Sequence, residues 1–123
     1  MNKAIFRFLE WQVYKDAKSF RQKVKSLINK KFPKEERYKL IDQIERAANS
    51  VCLNIAEGSN KLSDIELSHY LNIASTSIEE VISGLDLAKD DGYITEKEFE
   101  DFCQMAEEVS KQLVAFGKFA RNR

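Results

Sequence analysis

Apolar residues recur at alternating spacings of three and four in four separate stretches. They are Val13, Ala17, Phe20, Val24 and Leu27; then Leu40, Ile44, Ala47 and Val51. Leu67, Leu71, Ala74, Ile78, Val81, Leu85 and Ala88 form the third, and Phe99, Phe102, Ala106, Val109, Leu113, Phe116 and Ala120 the fourth. Such seams belong to helices that pack nearly parallel or antiparallel, and no strand-like alternation competes with them. The stops agree. Phe32-Pro33 closes the first helix, because a residue before proline avoids the α region. Gly58-Ser59-Asn60 and Asp91-Gly92 close the second and third, while Ser63-x-x-Glu66 and Thr95-x-x-Glu98 are capping boxes that open the third and fourth. The pattern predicts helices over 9–31, 35–58, 64–90 and 96–121. Equal lengths and short connections make this an all-α, antiparallel up-down-up-down four-helix bundle, with residues 1–123 as a single domain.

The third helix carries a second stripe, Tyr70, Ile73, Ser77, Glu80, Gly84 and Leu87. A bundle helix needs one buried face, so the widened face predicts a second contact surface and a homo-oligomer.

Composition narrows the class. Four glycines and one proline in 123 residues exclude a turn-rich β fold. No apolar run approaches a membrane span, and the opening MNKAIFRFLEW lacks the apolar block of a signal peptide. Two cysteines without an export signal predict a cytoplasmic chain with reduced thiols. Net charge is zero but uneven: residues 1–34 hold ten Lys/Arg against two acids, and residues 35–123 hold ten against eighteen. A segment of +8 joined to a body of −8 is a statement about partners. It suits phosphate, the acidic surface of another copy, or merely a solvated basic face.

Catalytic chemistry has no visible machinery. Glu66-x-x-His69 looks like half of a di-iron site, but the chain has one histidine and the second motif cannot exist. Asp91-Gly92 resembles part of a calcium loop, yet with Gly92 at loop position 6 the ligand positions 1 and 3 fall on Leu87 and Lys89. Cys52 and Cys103 lie on different helices without zinc-ligand spacing and read as small core residues. No phosphate-binding glycine loop and no activated nucleophile is present. The expectation is a non-enzyme with no cofactor, no metal and no small-molecule substrate.

Helix 2 breaks the binary pattern. Asn54 falls on the extension of its apolar seam, Glu57 follows, and Gln43 and Arg46 sit near the same face. Buried polar groups need partners, and Ser77 and Glu80 of helix 3 are available. The stretch Gln43–Gly58, QIERAANSVCLNIAEG, closely resembles the signature of the bacterial four-helix bundle proteins encoded in 23S rRNA intervening sequences. Phe8–Ala17, Phe32–Leu40 and Leu71–Val81 resemble the family's opening, connector and third-helix motifs in the same order. The resemblance implies an antiparallel bundle that assembles into a homopentamer. It also implies kinship with the accessory variability protein of diversity-generating retroelements, a basic pentamer that binds nucleic acid. Four positions depart from the pattern. Glu45 replaces the first of two arginines, Cys52-Leu53 replaces a Pro-Ser pair, and Thr76 replaces a glycine that would allow close helix approach.

Two functional readings follow. In one, Lys15, Lys18, Arg21 (or Gln22) and Lys25 share a helix face and contact the backbone of rRNA or another nucleic acid. In the other, the protein is an assembly module in which the basic segment of one subunit meets the acidic stretch 86–108 of the next.

Overall fold

The computed structural model describes residues 5–121. Four helices account for most of them: α1 (Gln12–Lys31), α2 (Leu40–Ser59), α3 (Asp64–Asp90) and α4 (Glu96–Arg121). Two single 3-10 turns, Arg7–Glu10 and Lys34–Glu36, precede α1 and α2. Each helix packs on its neighbours in sequence, and α1 closes on α4, so the bundle is four-cornered and antiparallel. Ring contacts fix the sense of the closing pair. Trp11 at the start of α1 meets Phe116 near the end of α4, with centroids 4.9 Å apart. At the other end, Lys31 of α1 reaches Glu98 of α4 at 3.4 Å.

The apolar seams form the core. Every seam residue of α1, α2 and α3 is buried; on α4 only Phe99 and Phe116 remain half-exposed at the two ends. Burying each Val, Leu, Ile or Phe of these seams is worth about 1.5–3 kcal/mol. Ile28, Ile41, Ala48, Ile55 and Ile94 add to this core.

Helix ends follow the local chemistry. Ser63 Oγ accepts the Glu66 N–H at 3.1 Å. At α4 the box is reciprocal: Glu98 N–H donates to Thr95 Oγ1 at 3.0 Å, and Thr95 N–H donates to Glu98 Oε1 at 2.9 Å. Helix α3 ends in a Schellman turn, with Tyr93 N–H on the Ala88 carbonyl and Gly92 N–H on that of Lys89. Gly92 has φ +82°, a conformation that glycine adopts freely.

Two starts differ from the sequence expectation. Helix α1 begins at Gln12 rather than residue 9, because Trp11 has extended dihedrals (φ −72°, ψ 130°) and caps it after a 3-10 turn. Helix α2 begins at Leu40 rather than residue 35. Residues 34–39 hold no apolar seam, Tyr38 is 89% exposed, and Lys39 (φ −127°, ψ −109°) breaks the helix. Without a face to bury, a few helical residues do not hold together.

The second stripe of α3 also finds a different use. Its small members let α2 approach closely. Gly84 lies against Ile44 with no room for a Cβ, and the Ser77 hydroxyl meets that of Ser50 at 2.8 Å. Tyr70 packs beside Gly58. Tyr70, Ser77 and Gly84 are thus spent on the α2–α3 seam within one chain, while Glu80 and Leu87 stay exposed. Thr76 stands on the outside, its hydroxyl turned back to the Asn72 carbonyl at 3.2 Å, so it does not hold the helices apart.

Candidate functional site

The four basic residues proposed for α1 divide into two pairs. Lys15 and Lys18 are exposed, and Arg21 and Lys25 are half-buried. Arg21 and Lys25 are one turn apart, and Arg21 lies on the α2 side, where its Nε donates to Asn49 Oδ1 at 2.6 Å. Lys15 makes a loose exposed pair with Glu10 at 3.7 Å. The Lys18 ammonium sits 5.0 Å from the centroid of Tyr14. Gln22, the alternative to Arg21, is exposed.

Lys18 and Arg21 line a cleft of about 320 Å³ between α1 and α2, with Tyr14, Asn49, Cys52 and Leu53 as its other walls. No lining residue is a carboxylate. Burial pushes the Cys52 thiol above its ordinary pKa, while Arg21 and Lys18 pull it down; both cations therefore lie within electrostatic reach of one sulfur. The Tyr14 phenol is raised chiefly by burial, with Cys52 adding to the rise and Arg21 opposing it. Leu53 is 66% exposed and forms the boundary with a second groove lined by Ile5, Phe6 and Ala56.

The motif polar residues are scattered rather than convergent. Asn54 is half-buried, and Ile55 takes the core position instead. Asn54 Nδ2 donates to the Ser50 carbonyl at 2.9 Å and to Ser50 Oγ at 3.0 Å. Ser77 Oγ donates to the Ile73 carbonyl at 3.1 Å. Each hydroxyl has one proton, so Ser50 donates to Ser77 and the bonds run in one direction from Asn54 to Ile73. This chain stitches α2 to α3. Glu57 is exposed and pairs with Lys61 at 3.5 Å. Arg46 pairs with Asp42 at 3.3 Å, and Gln43 and Glu80 are exposed. Glu45, in the place of an expected arginine, binds Arg37 at 2.9 Å.

A third groove, of about 530 Å³, separates α3 from α4. Ile82, Phe99 and Ala106 supply apolar lining, with Glu79, Asp86 and Glu107 alongside. Cys103 also lines it and is half-exposed, which corrects its expected place in the core. Cys52 is buried as expected, and both thiols are free. His69 is exposed. Among the described residues no three His, Cys, Asp or Glu side chains are placed to hold a metal ion. No helix among them is long and apolar enough to cross a membrane.

Sequence reasoning named Lys18 and Arg21 but missed Asn49, Tyr14, Cys52 and Leu53. The available signal was the hairpin register: with Phe32-Pro33 at the turn, a residue nearly three turns before the end of α1 faces one about two and a half turns into α2.

The fold and site define an all-α antiparallel four-helix bundle with a cationic cleft between its first two helices. The chain belongs to the 23S rRNA-intervening sequence protein family, whose sequence profile matches residues 10–115. It is also similar to a crystal structure from Bacteroides thetaiotaomicron VPI-5482, a protein of unknown function from the S23 ribosomal protein family. Identity is 25% and the TM-score 0.74, over 86% of this chain and 98% of that one. No curated protein matches. Neither the family's description nor the neighbour's carries an enzymatic activity.

Proposed function

We propose that this protein is a non-enzymatic, self-assembling bundle that associates with RNA or another nucleic acid through the basic side of α1. The observation that carries the reading is the cleft where Lys18 and Arg21 stand without a carboxylate, continued on α1 by Lys15 and Lys25. The exposed Lys15–Glu10 pair is worth little in water and yields to a phosphate. Contacts of this kind are directed to the backbone and only weakly to sequence. The test is a titration of labelled structured RNA and a matched DNA duplex at about 50 and 200 mM salt, over which phosphate-driven affinity falls by orders of magnitude. Binding that weakens steeply with salt and disappears when Lys15, Lys18, Arg21 and Lys25 become Glu supports the reading. Full affinity in that variant removes α1 as the contact.

A second reading is an assembly module without nucleic-acid affinity. It is favoured by exposed apolar side chains, since Ile5, Phe6 and Leu53 line one open groove beside the cleft. In this reading the protein is a homo-oligomer, with five subunits as the ring size. Native mass spectrometry measures this directly. A mass of one subunit at all concentrations refutes assembly, and a mass that falls as salt rises shows that opposite charges hold it.

A further inference from the structure

The cleft between α1 and α2 holds a cation in an unusually committed geometry. Asn49 Oδ1 accepts a hydrogen bond from the Arg21 Nε–H at 2.6 Å, which fixes the plane of the guanidinium. Arg21 has no other hydrogen-bond or ion-pair partner among the described residues. Its two terminal nitrogens are therefore free to act as an end-on fork, the arrangement that matches two oxygens of a phosphate. Lys18 lines the same cleft, held over the Tyr14 ring rather than by an acid. A second cation with no carboxylate nearby leaves the cleft electropositive, and its apolar wall at Leu53 limits hydration on one side.

We propose that this cleft is a preformed receptor for one phosphate group, held bidentately by Arg21 and by charge at Lys18, with Asn49 as the positioning residue. The proposal rests on the reading of α1 above only in sharing Lys18 and Arg21; it adds α2 to the site. The phosphate has two sources, a nucleic-acid backbone or a free phosphorylated small molecule, and both present the same pair of oxygens.

The experiment follows the Arg21 Nε–Hε cross-peak of the 15N-labelled full chain by NMR, at constant ionic strength. Inorganic phosphate, adenosine monophosphate and a short single-stranded RNA are titrated separately, with sodium chloride as the control. The expected result is a saturable shift with phosphate and none with chloride. Arg21→Gln should abolish binding, now read on the Asn49 side-chain amide. Asn49→Ala, which frees the guanidinium without removing its charge, should weaken binding several-fold to about tenfold, the scale of one charge-assisted hydrogen bond. The remaining backbone peaks report that both variants are folded. A linear shift equal to that with chloride, or unchanged affinity in both variants, overturns the proposal.

The three titrations separate the sources. RNA that moves the Arg21 peak and competes with inorganic phosphate identifies the backbone. A response to inorganic phosphate and adenosine monophosphate but not to RNA identifies a small molecule; the receptor then stands and the nucleic-acid reading falls. RNA that binds through Lys15 and Lys25 while leaving the Arg21 peak still gives the reverse, a correct reading of α1 and a wrong one of the cleft.

Discussion

The two outer grooves of this bundle have opposite charge and handle it differently. Between α3 and α4, Asp86 pairs with Lys89 at 3.3 Å, and Glu107 pairs with Lys111 at 3.1 Å. Asp86 and Glu107 are answered by lysines about one turn away on their own helices, while the Glu79 carboxylate has no such partner among the described residues. Between α1 and α2, Lys18 has only an aromatic face and Arg21 only a neutral amide. A count of charges along the chain treats the −8 body and the +8 segment as equals. The folded arrangement does not, because pairs at helical spacing answer two of the three acids of one groove and neither cation of the other. Unanswered charge is what a ligand can use, and this places the stronger site claim on the basic side.

The largest expected effect tests that contrast directly. Reversing Lys15, Lys18, Arg21 and Lys25 to Glu should remove RNA affinity at low salt, and any residual binding should show a log affinity–log salt slope shallower by about three to four if four phosphate contacts go. Reversing Glu79, Asp86 and Glu107 to Lys should leave affinity intact or raise it. Equal losses in the two variants would mean that the protein responds to net charge and that the grooves are not distinct.

Next in size is a test of what keeps the grooves apart. Both are anchored to the α2–α3 seam, where Gly84 leaves no room between α3 and Ile44. Gly84→Val forces side-chain bulk into a buried isoleucine and should cost about 2–3 kcal/mol in urea unfolding. RNA binding by the remaining folded fraction should be normal, since the cleft of α1 is on the other side of α2. A variant of unchanged midpoint would show that the seam has slack.

This seam also marks where sequence reading reaches its limit. The heptad positions, the caps at Ser63 and Thr95 and the glycine stop at Gly92 are local signals, and local chemistry decides them. The second stripe of α3 was equally visible, yet periodicity cannot say which neighbour a face meets. Ser77 and Gly84 serve α2 of the same chain, so these members of the stripe carry no argument for a second subunit. Residues 35–39 read as the start of the second helix but carry no apolar seam, and tertiary packing left them out of it. The site was half legible for a similar reason. Lysines at helical spacing announce a basic face, whereas the value of Arg21 depends on Asn49, twenty-eight residues away.

The two cysteines offer a smaller but sharper probe. Burial raises both thiols. Beyond that they diverge: Arg21 and Lys18 pull Cys52 down, while Asp86, Glu100 and Glu96 push Cys103 further up and Lys89 only partly opposes them. Single-cysteine chains, Cys103→Ser and Cys52→Ser, can be treated with an anionic disulfide reagent and with a neutral one. The ratio of anionic to neutral rate should be several-fold higher at Cys52, and molar salt should erase the difference. Half-exposed Cys103 should still react faster in absolute terms. Identical ratios at the two sites would contradict the charge contrast at its most local point.

The smallest effect lies where the two charged halves meet, at Glu98. Its carboxyl accepts the Thr95 N–H and faces Lys31 of α1. It is held below the ordinary glutamate range, first by the Thr95 N–H and then by Lys31, against an opposing contribution from burial. A carboxyl depressed in the folded state stabilises it above the unfolded pKa, about 4.3, and that contribution is lost as pH falls through the lower folded value. Glu98→Gln should therefore be less stable than the parent chain at neutral pH by under about 1 kcal/mol, since exposed pairs contribute little. The gap should close on acidification below about pH 4. Thr95→Ala removes the hydroxyl that accepts the Glu98 N–H, together with an exposed methyl, and should cost about 1 kcal/mol at every pH. Thermal melts of the three chains at neutral and acid pH separate these contributions. If the Glu98→Gln gap survives at low pH, the side chain acts through packing, and the ion pair with Lys31 does not join the halves.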